Sequence, residues 1–355
     1  MLPLRTLSMD INNSTTLRPL PLSSSPSLPQ EINVEKTVTG SATITNVQNK
    51  SVDVVILDNA LKKSEALINT LQVAAYQNEQ KSDRLLAAQQ FESSLQGIVN
   101  SRVTLALEQK ISLQSEVDNA LHQALPNPQT LFEPIAAQRT TISDKELWEK
   151  IAHAIGQIGE EYLEVYENVV GKYTEFYTDF SDILSQMGGW ISPGGTDGNK
   201  VKLNVDALVY ALKTLTSKYT LPNQNAVLFP SQSEGSGITG VSDRKVAEQW
   251  AKELGLPDSC VKQVNGKYVV VVDLLPINAM IRDTSALGKG VVDIDNAKFQ
   301  AWQAGFKAQE ENLKNTLQTL TQKYSSANSL YDNLVKVLSS TISSCLETAK
   351  SFLQG

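Results

Sequence analysis

The chain has 355 residues, of which 41% are hydrophobic and 19% charged; this is ordinary for a folded protein and long enough for two or three packing units. Its formal net charge of −7 argues against a protein that binds nucleic acid or anionic membranes, because both surfaces are negatively charged. The longest purely apolar run, residues 268–272, is far shorter than a membrane span of roughly 20 residues, which argues against stable membrane insertion.

The first 50 residues are rich in Ser, Thr, Asn and Pro, hold five of the 13 prolines, and show no apolar periodicity. Such a segment cannot bury enough apolar surface to offset the entropy that is lost on ordering. We therefore predict a disordered tail over residues 1–50. Arg5 is not followed by an apolar stretch or a small-residue cleavage site, so a cleaved secretory signal is not expected.

Residues 52–125 have the pattern of amphipathic helices, with apolar residues three and four positions apart. The pattern recurs in VVILDNALKKSEALINTLQVAAY, LLAAQQFESSLQGIVN and LQSEVDNALHQAL, with short polar joints such as residues 78–83 between them. A proline-containing linker, residues 126–134, follows. We predict that residues 51–130 form a helical hairpin whose second arm is broken.

A long helix is predicted over residues 140–188, where no proline interrupts the chain. Ser143 is followed three residues later by Glu146, the spacing of a capping box at a helix start. Ile142 and Leu147 flank this pair at the positions of a hydrophobic staple. Together these residues predict where the helix begins.

The apolar residues of this helix follow steps of three and four, the signature of a coiled coil. An extra step of four between Val165 and Tyr173 predicts a stutter, which locally unwinds a supercoil. Gly188 and Gly189 are predicted to end the helix. The predicted coiled-coil core positions of this helix are Trp148, Ile151, Ile155, Ile158, Tyr162, Val165, Val169, Tyr173, Phe176, Phe180, Ile183 and Met187.

A second long helix is predicted over residues 295–355, because no proline follows Pro276 and an apolar seam runs almost to the end. At 1.5 Å per residue its roughly 57 helical residues would span about 85 Å, against about 65 Å for the first helix. Neither seam can be buried within its own helix, so we expect the two helices to pair as a long antiparallel coiled coil. The predicted core positions of the second helix are Leu313, Leu317, Leu320 and Tyr324.

Residues 189–294 have a different character and are predicted to be a mixed α/β domain inserted at the tip of the coiled coil. Twelve of the 19 glycines fall between Gly188 and Gly290. KVKLNV alternates like a strand, and CVKQVNGKYVVVVDL places an Asn265-Gly266 turn between two β-prone runs, with helical segments nearby. The predicted fold class is mainly α: a long antiparallel coiled coil with an N-terminal helical hairpin and an inserted mixed α/β domain.

Residues for catalysis or metal binding are scarce. His122 and His153 lie on helical stretches without a Cys, Asp or His at metal-ligand spacing. The segment SPGGTDGNK supplies one Asp, too few carboxylates for a calcium loop, and is interpreted as a turn from helix to strand. Cys260 and Cys345 are interpreted as buried free thiols. We expect no cofactor, no metal and no catalysis; the alternative is a stalked enzyme with a catalytic head in residues 200–294.

Two long stretches carry a family resemblance. They are YENVVGKYTEFYTDFSDILSQMGGWISPGGTDGNKVKL and the C-terminal segment that begins DNAKFQAWQAGFKAQEENLKNTLQ and ends SSCLETAKSFLQG. Both resemble the needle-tip proteins of bacterial type III secretion systems, in the invasion-type, IpaD/SipD-like branch. The resemblance is dense over residues 139–355 and weak in the first 50. In the hairpin it is a match of pattern more than of sequence.

The resemblance implies a protein that is secreted through the needle and stays at its tip on the bacterial cell surface, in a ring that is usually a pentamer. Such proteins hold secretion in check, sense bile salts as effector ligands in enteric members, and present a platform for the hydrophobic translocator proteins. It also implies that the hairpin is a self-chaperone, that the tail is an export signal, and that the protein is not an enzyme. A pore-forming translocator would need a long apolar segment, which the sequence lacks.

The end of the second helix suggests a further hypothesis, because residues 337–346 contain no charged side chain. Pairing that sets Trp148 level with Lys336 would leave about 15 residues of the second helix beyond the start of the first. We hypothesise that the hairpin covers this end before assembly and that the surface later docks on the needle filament or a neighbouring copy. The alternative is permanent packing on the hairpin. The candidate assembly residues are Tyr331, Leu334, Leu338, Ile342, Cys345, Leu346 and Phe352.

Overall fold

The structure is a computed structural model that describes residues 52–72, 78–124, 143–195, 199–233 and 235–352. All of these residues belong to one compact unit, Asn49–Gly355. The predicted tail, the proline-containing linker and Ile142 of the predicted staple lie outside the described residues.

The predicted fold class, mainly α with an inserted α/β part, is confirmed. The helices are α1 (Val52–Leu71), α2 (Asn78–Val99), α3 (Leu107–Ala124), α4 (Asp144–Gln157), α5 (Glu164–Met187), α6 (Val205–Lys218), α7 (Arg244–Glu253), α8 (Leu275–Ser285) and α9 (Asn296–Phe352). The strands are β1 (Ile191–Gly194), β2 (Lys200–Asn204), β3 (Val227–Phe229), β4 (Val261–Val264), β5 (Lys267–Val271) and β6 (Val291–Asp295).

The segment predicted as the N-terminal hairpin contains α1, α2 and α3, and we keep the name hairpin for all three. Helices α1 and α2 pack side by side, whereas α3 packs on α9 and α4. The predicted broken second arm is therefore wrong, because α3 is a third helix and does not extend α2. The prediction of a polar joint over residues 78–83 is wrong, because α2 begins at Asn78 and continues through that stretch. Glu, Gln and Lys have high helix propensity, so a run of them can form the first turns of a helix.

The first long helix begins where it was predicted to begin. The Ser143 hydroxyl accepts a hydrogen bond from the Glu146 amide (3.2 Å), which satisfies one of the free N–H groups of the first turn. The Glu146 carboxylate pairs with Lys150 (3.5 Å) rather than reaching back, so only one half of the capping box forms.

The first long helix is interrupted once, by the π-helical turn Ile158–Leu163 between α4 and α5. The predicted stutter between Val165 and Tyr173 falls in α5, which is regular α-helix through both residues. A stutter changes the phase of the apolar seam without breaking the helix, so this geometry is compatible with the prediction. The π turn was not predicted; it holds one more residue than an α turn and changes the phase of the helix before Val165.

Helices α5 and α9 pack antiparallel, and the Tyr173 hydroxyl donates to the Leu313 carbonyl oxygen (3.4 Å). This pairing reaches the π turn, where Gly159 permits close approach: a Cβ atom there would lie 3.1 Å from the Tyr331 hydroxyl oxygen. Beyond that point α4 packs chiefly on α2 and α3, while α9 packs on α1 and α3. The two-helix coiled coil is thus shorter than predicted, and its outer part is a bundle shared with the hairpin.

The predicted core positions are buried in the structure, except for Met187 and Leu317, which are half-buried. Those that precede the π turn lie on α4, so they contribute to the bundle with the hairpin. The uncharged run at residues 337–346 is covered by α1 and α3. These are helices of the segment that was expected to cover this end of the second long helix.

Helix α5 ends at Met187, beside the predicted glycine pair, but without a left-handed glycine. Gly188 stays right-handed (φ −58°, ψ −30°) and opens a 3-10 turn. The segment interpreted as a turn begins with strand β1, which pairs antiparallel with β2, so that interpretation is wrong for its first residues. Pro193 is compatible with β1 because an edge strand tolerates the loss of an N–H donor.

The inserted α/β part contains two three-stranded antiparallel sheets, with strand orders β1-β2-β6 and β3-β5-β4. The predicted β4–β5 hairpin is confirmed: Asn265 (φ 51°) and Gly266 (φ 79°) both have the positive φ that a type I′ turn requires. Asp295, the last residue of β6, caps α9 by accepting a hydrogen bond from the Lys298 amide (2.7 Å). The chain thereby passes directly from the inserted part into the long helix.

Candidate functional site

The predicted assembly residues lie on the C-terminal half of α9, and six of the seven are buried. Phe352 is 82% exposed, whereas each of the others exposes 6% of its surface or less. The six buried residues are called the α9 stripe: Tyr331, Leu334, Leu338, Ile342, Cys345 and Leu346. These six residues lie on one buried face of α9, and the structure shows which helices cover it.

Helix α1 covers one side of the α9 stripe and runs antiparallel to α9. The Asn328 amide donates to the Leu71 carbonyl oxygen (2.9 Å), and the Ser64 hydroxyl donates to the Ser339 hydroxyl (3.0 Å). Both contacts join uncharged groups. The face that α1 buries consists of small and aliphatic side chains at helical spacing: Val54, Leu57, Ala60, Ser64, Leu67 and Leu71.

Helix α3 covers the other side, and its polar contact is again uncharged: the Gln109 amide donates to the Ser344 hydroxyl (3.0 Å). The residues that α3 buries are Leu113, Val117, Ala120, Leu121 and Ala124. Covering residues 337–346 therefore removes no charged group from water, which would cost far more than burying a hydroxyl with a partner. This accounts for the absence of charge in that part of the sequence.

A buried ion pair attaches α2 of the hairpin to α5. Arg84 Nη2 lies 2.6 Å from Glu167 Oε2, and both side chains are fully buried. Arg84 Nε and Nη1 and Glu167 Oε1 have no hydrogen-bond partner among the described residues. Burial raises the pKa of the Glu167 carboxyl, while the Arg84 charge and hydrogen bond act against that rise. A pair of this kind adds little net stability, but breaking it is costly.

An exposed apolar surface lies at the end of the bundle where α9 stops. Among the described residues nine large hydrophobic side chains are exposed, and five of them lie at the start of α1, the start of α3 or the end of α9. Neighbouring contacts hold this end together: the Arg102 amide donates to Asp53 (3.3 Å), and Lys110 pairs with Asp144 (2.6 Å). We call this surface the free end; its residues are Val52, Val55, Leu107, Ile111 and Phe352.

The described residues offer no metal site, since no group of three or more His, Cys, Asp or Glu side chains could hold an ion. His122 Nδ1 lies 2.7 Å from the Asp118 carbonyl oxygen on its own helix, and His153 is exposed on α4. Cys260 and Cys345 are free and buried, and burial raises both thiol pKa values, that of Cys260 to about 12. These thiols are therefore poor nucleophiles at neutral pH.

No helix within the described ranges is both long enough and apolar enough to cross a bilayer.

Comparison with known proteins identifies the family. The model of a family described as "Type III secretion systems tip complex components" matches residues 13–353. Cell invasion protein SipD of Salmonella typhi is 54% identical over 313 residues, which are 87% of this chain and 89% of that protein. Invasin IpaD of Shigella flexneri is 52% identical over 213 residues, 60% of this chain and 61% of that protein.

A solved structure has the same fold. The Pathogenicity island 1 effector protein from Chromobacterium violaceum is 45% identical, with a TM-score of 0.68 over 83% of this chain and 97% of that one. The family match covers nearly the whole chain, including the hairpin, both long helices and the inserted part. The chain therefore belongs to the family of type III secretion system tip complex components.

Proposed function

We propose that this chain caps the needle of a type III secretion system, docking on the needle filament first through the free end and then through the α9 stripe. The observation that carries the proposal is the uncharged contact between the hairpin and α9. An apolar helix face covered by separate helices can exchange one partner for another without desolvating charge. Membership of the tip complex family supports the choice of partner.

In this proposal residues 1–50 are the export tail, and residues 51–130 are a self-chaperone that covers the α9 stripe before assembly. Several copies form a ring at the needle tip on the bacterial cell surface, a pentamer by family resemblance. The ring controls secretion and presents a platform for the hydrophobic translocator protein during host-cell contact. Bile salts are the effector ligands that the resemblance to enteric members suggests.

A disulfide lock tests whether the hairpin must move. The Ser64 and Ser339 hydroxyl oxygens are 3.0 Å apart, so sulfurs at these positions could bond after a small adjustment. We expect the oxidised Ser64→Cys/Ser339→Cys chain to lose cosedimentation with purified needle filaments, and reductant to restore it. The native Cys260 and Cys345 thiols are buried and do not compete for the oxidant.

The control for the lock is Ser64→Cys alone under the same oxidant, which should bind filaments as the unmodified chain does. If the locked chain binds as well as its reduced form, the hairpin remains packed on α9 while the chain is bound to the needle. The α9 stripe would then be a permanent bundle core, and docking through it would be excluded.

Substitution of the free end tests the first contact. We expect Phe352→Ser with Ile111→Ser to lower the affinity for needle filaments at least about tenfold, or about 1.4 kcal/mol, because two exposed apolar anchors are lost. Urea denaturation should show a change in unfolding free energy of less than about 0.5 kcal/mol per substitution, since both side chains are exposed. Tyr210→Ser on α6, where Tyr210 is 75% exposed, is the matched control. Equal effects of the two variants on filament binding would contradict docking at the free end.

A further inference from the structure

Residues 164–168 of α5 contact the hairpin on one side and the inserted α/β part on the other, and we call them the bridging segment. On the hairpin side, Lys81 Nζ lies 3.2 Å from Glu164 Oε1 and 2.5 Å from Asn168 Oδ1. The buried ion pair between α2 and α5 supplies a third contact, because its carboxylate also belongs to the segment. Two successive cations of α2 are therefore fixed to one turn of α5.

The inserted α/β part is attached to the same segment. The Tyr166 hydroxyl donates to Glu253 Oε1 at the end of α7 (2.9 Å), and Lys323 of α9 pairs with the same oxygen (3.4 Å). Asn168 Nδ2 donates to the Ser231 hydroxyl, just after β3. The side-chain amide of Asn168 thus accepts a hydrogen bond from the hairpin and donates one to the inserted part.

Tyr166 also anchors an aromatic cluster, which makes its position sensitive to any rotation of α5. Its ring lies edge-on to Trp250 of α7, with centroids 5.8 Å apart, and Trp250 stacks on Phe229 of β3 at 5.1 Å. All three side chains are buried. A shift of the bridging segment would therefore disturb packing inside the inserted part, as well as the hydrogen bond to Glu253.

We infer that the bridging segment couples two contacts of α5: its packing against the hairpin and its packing against the inserted α/β part. When the hairpin leaves, Glu164, Glu167 and Asn168 lose their α2 partners together, and the carboxylate of Glu167 loses its cation. The π turn directly before the segment is a place where helix geometry changes readily. Because coupling free energies are reciprocal, a change at the inserted part also alters the stability of the contact between the hairpin and α5.

Native-state hydrogen exchange on the full chain tests this coupling. Lys81→Met removes both contacts of Lys81 with the bridging segment, and we expect amide exchange in α7 to accelerate about fivefold or more. Lys62→Met is the matched control on the same hairpin, because Lys62 pairs with Asp58 within α1. The control should leave exchange in α7 unchanged.

The reciprocal variant is Glu253→Ala, which should accelerate exchange in α2 by a similar factor. Its control is Glu248→Ala, since the Glu248 carboxylate pairs with Arg244 within α7. The inference is overturned if Lys81→Met accelerates exchange in α2 alone, or if a control variant affects the remote helix as strongly. No needle filament is used, so this result and the docking results can fail independently.

Discussion

Arg84→Met should lower the free energy of unfolding by about 3–5 kcal/mol, because it leaves the Glu167 carboxylate buried without its cation. The loss should largely disappear in the double variant Arg84→Met/Glu167→Leu, since two apolar side chains of similar volume need no partner in the interior. Urea denaturation of the two variants and the unmodified chain measures both effects, provided that the m-values agree. The comparison separates the charge of Arg84 from the packing of its aliphatic stem.

The control for this pair is Lys145→Met, which removes a cation from a solvent-exposed pairing with Glu149. Exposed pairs of this kind contribute about 0–1 kcal/mol, so its stability should be close to that of the unmodified chain. A double variant as unstable as Arg84→Met alone would mean that lost packing, rather than an unpaired carboxylate, causes the effect.

Leu338→Ala should cost about 2–5 kcal/mol, because Leu338 is completely buried where α1 and α3 cover α9 and its removal leaves a cavity. The cavity lies at the interface that the hairpin must leave, so binding of a hydrophobic dye should also increase. Thermal unfolding and dye fluorescence measure the two effects.

Asn333→Ala is the control for Leu338→Ala, since Asn333 lies on the exposed face of the same helix. Alanine has a higher helix propensity than asparagine, so this variant should be as stable as the unmodified chain or slightly more stable. If Leu338→Ala cost no more than the control, the hairpin would not be packed on the α9 stripe in solution.

The long elements of the fold could be predicted because their signals are local and repeated. Helix α9 begins at Asn296 and reaches Phe352, as the absence of proline and the steps of three and four had indicated. The β4–β5 turn was predictable because Asn265-Gly266 is the dipeptide that tolerates two positive φ angles. In each case a few neighbouring residues determine the structure.

The attachment of the hairpin could not be predicted in the same way. Arg84 and Glu167 lie 83 positions apart, and each looks like an ordinary solvated charge on an amphipathic helix. The usable signal is that Tyr166 and Val170 flank Glu167, so the apolar face of α5 is wider than one coiled-coil seam. A face of that width needs a second partner, which the hairpin provides.

The π turn likewise had no local signature. It becomes necessary because α4 and α5 face different neighbours: α4 packs on α2 and α3, whereas α5 packs on α9 and the inserted part. Gly156 and Gly159 allow the close approaches on either side, with Glu92 and Tyr331 respectively. This requirement arises from tertiary packing, and the apolar periodicity of a single helix gives no information about it.

The alternative of a stalked enzyme receives no support, because the family and the relatives of this chain are structural secretion proteins rather than enzymes. Residues 200–294, the catalytic head of that alternative, form five of the six strands of the two small sheets together with their helices, and they pack on α5 and α9. The acidic side chain that contacts α5 and α9 most directly, Glu253, is used to attach the head. Its chemistry is that of a hydrogen-bond acceptor.

The hydroxyl and amide contacts between α1, α3 and α9 affect how the packing of the hairpin on α9 responds to salt concentration. Dissolved ions screen charges at the surface, but they act weakly on dehydrated pairs and on neutral hydrogen bonds. The Arg84–Glu167 pair is dehydrated and the Ser64–Ser339 contact is neutral, while the partly exposed Lys81–Glu164 pair remains open to screening. The contact between the hairpin and the long helices should therefore change little in stability between low and high salt concentration.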